Sequence, residues 1–315
     1  MKPKFQPTPR KANHAFFQTS KEIKDFSLFD KIHGYVYLRW PYLYIGIGKG
    51  DHPLSKIFGP LWRGIVRFLA VQETSNNAAF TDTYHGKVIP TEAATQLVTI
   101  KEDIRIDDLE QIIPYKKARS LILKNPDHII VLECPCRAAK KNPCYPLDVC
   151  LIVGEPFASH VAAHHPNRSR WISQEEAVNI LKAERDRGHV SHAFFKDAML
   201  DRFYAICNCC ECCCGAMKFH QNGIPMLASS GYVAQVDIDL CIGCGDCQTV
   251  CQFHAISLDD GHSRVNFESC MGCGVCEAHC NQGAITLALD ERKGIPLEIQ
   301  KLMPEGVKTS RLGDN

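Results

Sequence analysis

The chain has 315 residues, 45% hydrophobic and 23% charged, which is enough for two or three globular domains. Eighteen cysteines in a chain this long, behind a polar, basic start over residues 1–20 with no apolar leader core, exclude a small secreted disulfide scaffold. The net charge of +1 conceals a polarity: residues 1–49 hold nine Lys/Arg against three Asp/Glu, and residues 233–290 hold one against eight.

In chain order, residues 1–27 carry Pro3, Pro7 and Pro9 among scattered lysines and predict a loosely ordered basic tail. A basic start can suit nucleic acid or an anionic membrane. It is read here as a solvated tail, so no nucleic-acid partner is expected. Residues 35–48 are rich in Tyr, Trp and Val, a composition that favours strands, with Pro41 as an interruption. Gly46, Gly48 and Gly50 surround Lys49, but their spacing fits neither dinucleotide nor nucleotide phosphate loops. Residues 57–71 place Phe58, Leu61, Trp62, Ile65, Phe68 and Leu69 at near-helical spacing, predicting a core-packed helix, with a membrane-surface helix as the alternative. No run approaches the ~20 apolar residues needed to span a bilayer, so any membrane contact is peripheral. Residues 76–86 read as loop, Thr91 as the N-cap of a helix over 92–98, Asp107-Asp108 as the start of a helix reaching Pro114, and 116–124 as a third.

The apolar run 128–133 predicts a buried strand and delivers Cys134 and Cys136, with Cys144 and Cys150 following ahead of the apolar run 151–153. Ser173 and Glu176 form the capping-box pattern of a helix over 174–187 that ends at Gly188. A strand at 203–206 then delivers Cys207, Cys209, Cys210, Cys212, Cys213 and Cys214. The first four thiols could serve one site. If 207–214 were extended, Cys210, Cys212 and Cys214 would share one face and Cys207, Cys209 and Cys213 the other, so one stretch could serve two sites. Parallel placement of the two delivering strands would gather all ten sulfurs. Soft thiolates select iron–sulfur clusters, zinc or cuprous ions, and the company of the later motifs favours one or two further iron–sulfur clusters over zinc. Redox-active thiols and buried packing cysteines are the other readings. Arg137 could face a cluster's charge or an anionic substrate beside Cys136. His189 and His192 read as ordinary surface residues rather than a metal pair or proton relay, and His164-His165 as solvated.

The last quarter repeats one pattern: Cys241-x-x-Cys244-x-x-Cys247-x-x-x-Cys251, then Cys270-x-x-Cys273-x-x-Cys276-x-x-x-Cys280. Each run has the C-x2-C-x2-C-x3-C spacing of a 4Fe–4S ligand set, in which a tight loop wraps three iron corners and the fourth thiolate arrives from elsewhere. A shift of 29 residues superposes Val236 on Val265, Gly243 on Gly272, Gly245 on Gly274, Ile256 on Ile285 and Leu258 on Leu287. Such repetition argues for one supersecondary unit used twice. Three evenly spaced cysteines plus a fourth, twice over, argue against zinc.

These motifs resemble the two-cluster bacterial-type ferredoxins. The resemblance implies two 4Fe–4S clusters with exchanged ligands: Cys241, Cys244, Cys247 and Cys280 on one, Cys270, Cys273, Cys276 and Cys251 on the other. Those ferredoxins usually carry proline after each run, where this chain has Gln252 and Asn281. The wider order, Cys-Pro-Cys-Arg, a capped helix, a dense cysteine run and then two ferredoxin motifs, is similar to a group of uncharacterised bacterial iron–sulfur proteins. The expectation is an α+β protein: basic tail (1–27), aromatic-rich helical region (28–118), cysteine-rich mixed α/β domain (119–232), ferredoxin-like domain of short hairpins and helices with a pseudo-two-fold axis (233–290) and C-terminal tail over its edge (291–315). The expected work is one-electron transfer in the reducing cytoplasm of an anaerobe or facultative organism, with a redox partner docking on the acidic module. The alternative is a redox enzyme or enzyme subunit whose central domain holds a catalytic cluster or reactive thiols. No nucleophile–base pattern for hydrolysis and no flavin or Rossmann fingerprint is present.

Overall fold

The computed structural model describes residues 7–24, 26–50, 81–107 and 109–303. Three helices lead: α1 (Pro9–Ser20), α2 (Leu28–Arg39) and α3 (Pro41–Lys49). Pro9 and Pro41 stand in the first turn, where a missing N–H costs nothing. Ser27 and Asp30 cap α2 reciprocally, and Gly50 closes α3 in the left-handed conformation. The tail expected over 1–27 therefore contains a helix, and the strand expected at 35–48 is helical. Aromatic content suggested a pleated surface, but here Pro41 initiates a helix rather than interrupting a strand. The rings pack as helical knobs, Phe16 and Tyr37 buried and Tyr37 edge-on to Tyr204. The helix expected at 57–71 lies outside the described residues.

The central elements are β1 (Tyr84–Val88), α4 (Thr91–Val98), β2 (Ile104–Ile106), β3 (Leu121–Glu133), α5 (Pro135–Ala138), β4 (Asp148–Glu155), α6 (Phe157–His164), β5 (Ser169–Ile172), α7 (Gln174–Asp186), β6 (Val190–Lys196), β7 (Arg202–Cys209), α8 (Gly215–Gln221) and β8 (Leu227–Ala228). The strands form one sheet in the order β2-β3-β4-β7-β6-β1-β8, with β5 beside β3; every pair is antiparallel except β1 with β8. The strands at 128–133 and 203–206 stand where expected, as does the helix over 92–98, except that it begins at Thr91 with Pro90, not Thr91, in the N-cap position. So does the helix after Ser173, whose hydroxyl accepts from Glu176 N at 3.1 Å. Three other expectations are corrected. Residues 84–86 are strand rather than loop, and 109–114 is a turn rather than a helix. Residues 121–124 belong to β3, because Leu121 and Leu123 alternate with their neighbours in burial and pair with β2, a period of two rather than 3.6.

Alternation gives the sheet two buried faces. Ile129, Val131, Leu151, Val153 and Phe195 point toward α4 and α7, while Ile130, Leu132, Cys150, Ile152 and Phe194 point toward α1, α2 and α6. Each such large side chain, fully buried, contributes about 1.5–3 kcal/mol. The cysteines therefore open into a face held rigid by both cores.

The C-terminal region comprises β9 (Tyr232–Val236), α9 (Asp246–Val250), β10 (Ile256–Asp259), β11 (His262–Val265), α10 (Val275–Ala278), β12 (Ile285–Leu289) and α11 (Ile299–Leu302). The tail expected over the module's edge divides its contacts. Arg292 and Lys293 lie over Phe267 of the module, whereas Leu297 and Ile299 bury in the α4/α7 core of the sheet. The chain is thus a mixed helix-and-sheet protein compatible with the α+β class. Among the described residues no helix is long and apolar enough to cross a membrane.

Candidate metal centres

Strands β3 and β7 point the same way, with β4 antiparallel between them, so both deliver their cysteines at one end of the sheet. Register places Leu132 opposite Cys150 and Cys150 opposite Cys207. Cys150, Cys207 and Cys209 turn to the helix-covered face, and Cys134 and Cys136 arrive where β3 passes into α5. Cys214 stands at the N-cap position of α8. Six thiols stand in series, each beside the next: Cys207, Cys150, Cys134, Cys136, Cys214 and Cys209. They line one pocket, together with Cys210, Cys213, Tyr37, Tyr84 and Tyr204.

A second group is tighter. The sulfurs of Cys144, Cys210, Cys212 and Cys213 all lie within 4.8 Å of one another. Cys144 Sγ stands 2.9 Å from Cys212 Sγ, and Cys212 Sγ 3.6 Å from Cys213 Sγ. Two sequence expectations change here. Cys144 leaves Cys134, Cys136 and Cys150 for this group, and Cys213 and Cys214 exchange sides. The reason is local: the chain is extended only to Cys209 and then turns, Cys213 N and Cys214 N both donating to Cys210 O at 3.3 and 2.9 Å. The period-two argument ends where the strand does.

Charged neighbours tune both groups. Lys49 Nζ donates to Cys136 O at 3.0 Å and to Cys213 O at 2.7 Å, bridging the two. Hydrogen bonds from Cys134 and Cys214, with Lys49 nearby, hold the Cys136 thiol well below its ordinary value. The bond with Cys214, assisted by His192 against burial, brings Cys209 down to about 6. His192 is buried beside Cys209, contrary to its expected surface role, and its Nδ1 donates to Val190 O at 3.1 Å. His189 is buried too, bonded to Glu184 at 2.7 Å. His164 and His165 are half-buried, bonded to Asn13 and to Leu38 O, rather than solvated. Arg137 is buried with Glu184 at 2.6 Å and with Asn208 O at 3.0 Å, so its charge is already matched. Tyr204 was missed in the sequence, whereas Lys49 was weighed only as part of a phosphate loop and His192 only as a surface residue or metal pair.

In the C-terminal module, residues 29 apart make equivalent bonds. Cys251 Sγ accepts from Ala255 N at 3.2 Å, and Cys280 Sγ from Ala284 N at 3.3 Å. Ser263 N donates to Cys241 Sγ at 3.4 Å, and Ala234 N to Cys270 Sγ at 3.5 Å, so each copy serves the first cysteine of the other. The ladders repeat as well, Val236 opposite Ile285 and Val265 opposite Ile256. Cys251, Cys270, Cys273 and Cys276 line one small pocket. Cys241 and Cys247 converge on Ser263, whose hydroxyl lies 3.1 Å from Cys247 Sγ, and Cys244 is exposed.

Residues 240–285 match a 4Fe-4S dicluster domain. No curated protein and no solved structure matches the chain. The match takes in both repeated cysteine runs, so the chain carries an iron–sulfur, ferredoxin-like module. The residues present fit such clusters: backbone N–H groups aim at four thiolate sulfurs, the partners that an anionic thiolate requires.

Proposed function

We propose that this is an iron–sulfur electron-transfer protein whose C-terminal module holds two 4Fe–4S clusters and whose central sheet holds a further cluster among six thiols. Bound, these groups supply one-electron chemistry. Cys241, Cys244, Cys247 and Cys280 would hold one cluster of the module, and Cys270, Cys273, Cys276 and Cys251 the other, in a pseudo-two-fold arrangement. The equivalent hydrogen bonds at a 29-residue shift support this reading. Cys134, Cys136, Cys150, Cys207, Cys209 and Cys214 would hold the central group.

The observation that carries the proposal is the packing between the two regions. Met271 and Val275, which line the cavity of Cys251, Cys270, Cys273 and Cys276, are buried in the same core as Cys134, Cys150, Cys209 and Cys214. Glu211 N also donates to Gln252 Oε1 at 2.9 Å, and His254 pairs with Glu211 at 2.6 Å, which ties the dense cysteine run to the module. The opposite end of the module, around Cys244, is exposed and acidic, suited to a basic protein partner.

Iron and acid-labile sulfide in anaerobically purified protein test the proposal. Values near eight of each per chain fill the module alone, and values near twelve or more (about four per cubane) fill the centre as well. Cys209→Ser with Cys134→Ser should then remove the excess and leave about eight. An excess unchanged by that pair would overturn the central assignment.

A second reading has its own support. Six thiols exceed the four corners of a cubane, and the same pocket is lined by the hydrogen-bonded pair Tyr37 and Tyr204, 2.8 Å apart. A small substrate bound beside them would make the central domain the active site of a redox enzyme. Cyanide added to the reduced protein distinguishes the two: a change in the EPR spectrum that Cys209→Ser abolishes favours the enzyme, and an unchanged spectrum favours a carrier.

A further inference from the structure

The four sulfurs of Cys144, Cys210, Cys212 and Cys213 are arranged differently from those of either quartet in the module. Four thiolates on one tetrahedral ion, with metal–sulfur bonds of about 2.3 Å, stand about 3.8 Å apart along every edge. Four thiolates on a cubane approach four separate corners from outside and stand farther apart. Here all four sulfurs lie within 4.8 Å of one another, with pairs at 2.9 and 3.6 Å. Among the described residues no other set of His, Cys, Asp or Glu ligand atoms is this compact, and that includes the module's eight cysteines.

The backbone around them suits a closed site. Cys210, Cys212 and Cys213 come from one turn, held by Cys213 N and Cys214 N on Cys210 O, and Cys144 arrives from the loop before β4. Lys49 fixes the carbonyl of Cys213 at 2.7 Å. The turn separates Cys209 from Cys214, its Cys210 and Cys213 border the same larger cavity from the clamp side, and it carries Glu211, which meets Gln252 and His254 of the module. A cross-link at this point would fix the larger cavity and the module against each other.

We infer that Cys144, Cys210, Cys212 and Cys213 bind one tetrahedral divalent ion, zinc or iron without sulfide, as a structural clamp separate from the iron–sulfur centres. Four protein thiolates close the coordination shell, as in structural zinc sites, and leave no open position for substrate. The inference does not depend on what fills the six-thiol cavity.

The test compares the anaerobically purified full chain with its Cys144→Ser/Cys212→Ser variant by zinc, iron and sulfide analysis. The wild type should hold one metal ion per chain beyond what its sulfide accounts for, and the variant should lose that ion with sulfide unchanged. Elemental analysis identifies zinc; a red ferric-thiolate absorption on mild oxidation, absent from the variant, identifies iron. Loss of iron and sulfide together would show a cluster and overturn the inference. So would an intact mass revealing a Cys144–Cys212 disulfide in the anaerobic protein. If the variant does not fold, X-ray absorption of the wild type decides at the edge of the metal found in excess. Four sulfurs at about 2.3 Å sustain the site, and a shell containing nitrogen or oxygen overturns it.

Discussion

Glu184 on α7 meets three side chains at once: Arg137 at 2.6 Å, His189 at 2.7 Å and Arg187 at 3.0 Å. Burial alone would raise its carboxyl, but the bond from His189 and the Arg137 guanidinium outweigh burial and hold it below the ordinary range. Glu184 and Arg137 are each 1% exposed, so removing one charge leaves the other stranded. Glu184→Gln should therefore cost about 3–5 kcal/mol, measured as a lowered urea midpoint under anaerobic conditions. A loss below 1 kcal/mol would show that Arg137 finds compensation elsewhere. The position was legible in part. Ala177, Val178, Leu181 and Glu184 form the buried stripe of α7, so a carboxylate stood where an apolar residue belongs. The sequence named Arg137 but not its partner, because 47 residues separate the two and only the fold brings them together.

Buried histidines give the molecule an acid-sensitive side. Burial takes His160 down to about 3, and His33 and His85 to about 4, from an ordinary 6.5. These groups stay neutral in the fold and charge in the unfolded chain. Their contribution is complete above pH 6.5 and is lost as pH falls toward 4, at up to about 1.4 kcal/mol per pH unit for each histidine. The urea midpoint should fall between pH 7 and pH 5. His160→Leu, between Phe16 and Tyr35, should flatten that slope by one titrating proton's share, up to about 1.4 kcal/mol per pH unit; equal slopes would place the sensitivity elsewhere.

At the scale of elements, the module's loops turn on two glycines. Gly243 and Gly272 share a φ of +65°, and a Cβ on either would lie 2.1 or 2.2 Å from a backbone oxygen, that of Gly261 or Tyr232. Those oxygens are themselves 29 residues apart, so the close approach is duplicated with the fold. Gly283 also has positive φ, +61°, but open space around it. Gly243→Ala should therefore cut iron and sulfide by at least half, whereas Gly283→Ala should keep both and cost only about 1 kcal/mol for its strained backbone. Equal metal content in the two variants would show that the loop can move aside.

The module was the most legible element because its information is local: ligand spacing and glycine positions sit within one short repeat. The central sites were legible as a cysteine inventory only. Dividing them needed the end of β7 at Cys209 and the return of Cys144, both set by strand pairing across dozens of residues. The leading helices were misread because Tyr and Trp serve either a strand or a helix that packs on a sheet, and the choice lay with the partner surface.

For the whole molecule, the arrangement is a gradient from a buried, cysteine-lined sheet to an exposed acidic tip. Ile238, Leu240 and Ile242 are 63%, 49% and 66% exposed, an unusual density of bare apolar side chains beside the exposed Cys244. Asp237, Asp239 and Asp246 surround them and are exposed too. An apolar centre with a charged rim would suit the partner docking proposed above, where charge acts mainly on encounter rate. Converting those three aspartates to asparagine should slow oxidation of the reduced protein by a hexaammine cobalt trication several-fold at low ionic strength. Oxidation by ferricyanide, an anion, should speed up. Both differences should vanish near 1 M salt, where the Debye length falls to about 3 Å and charges beyond contact no longer act. Rates insensitive to the substitutions at low salt would move the electron-exchange face away from this tip, because no steering field would then reach an oxidant approaching there.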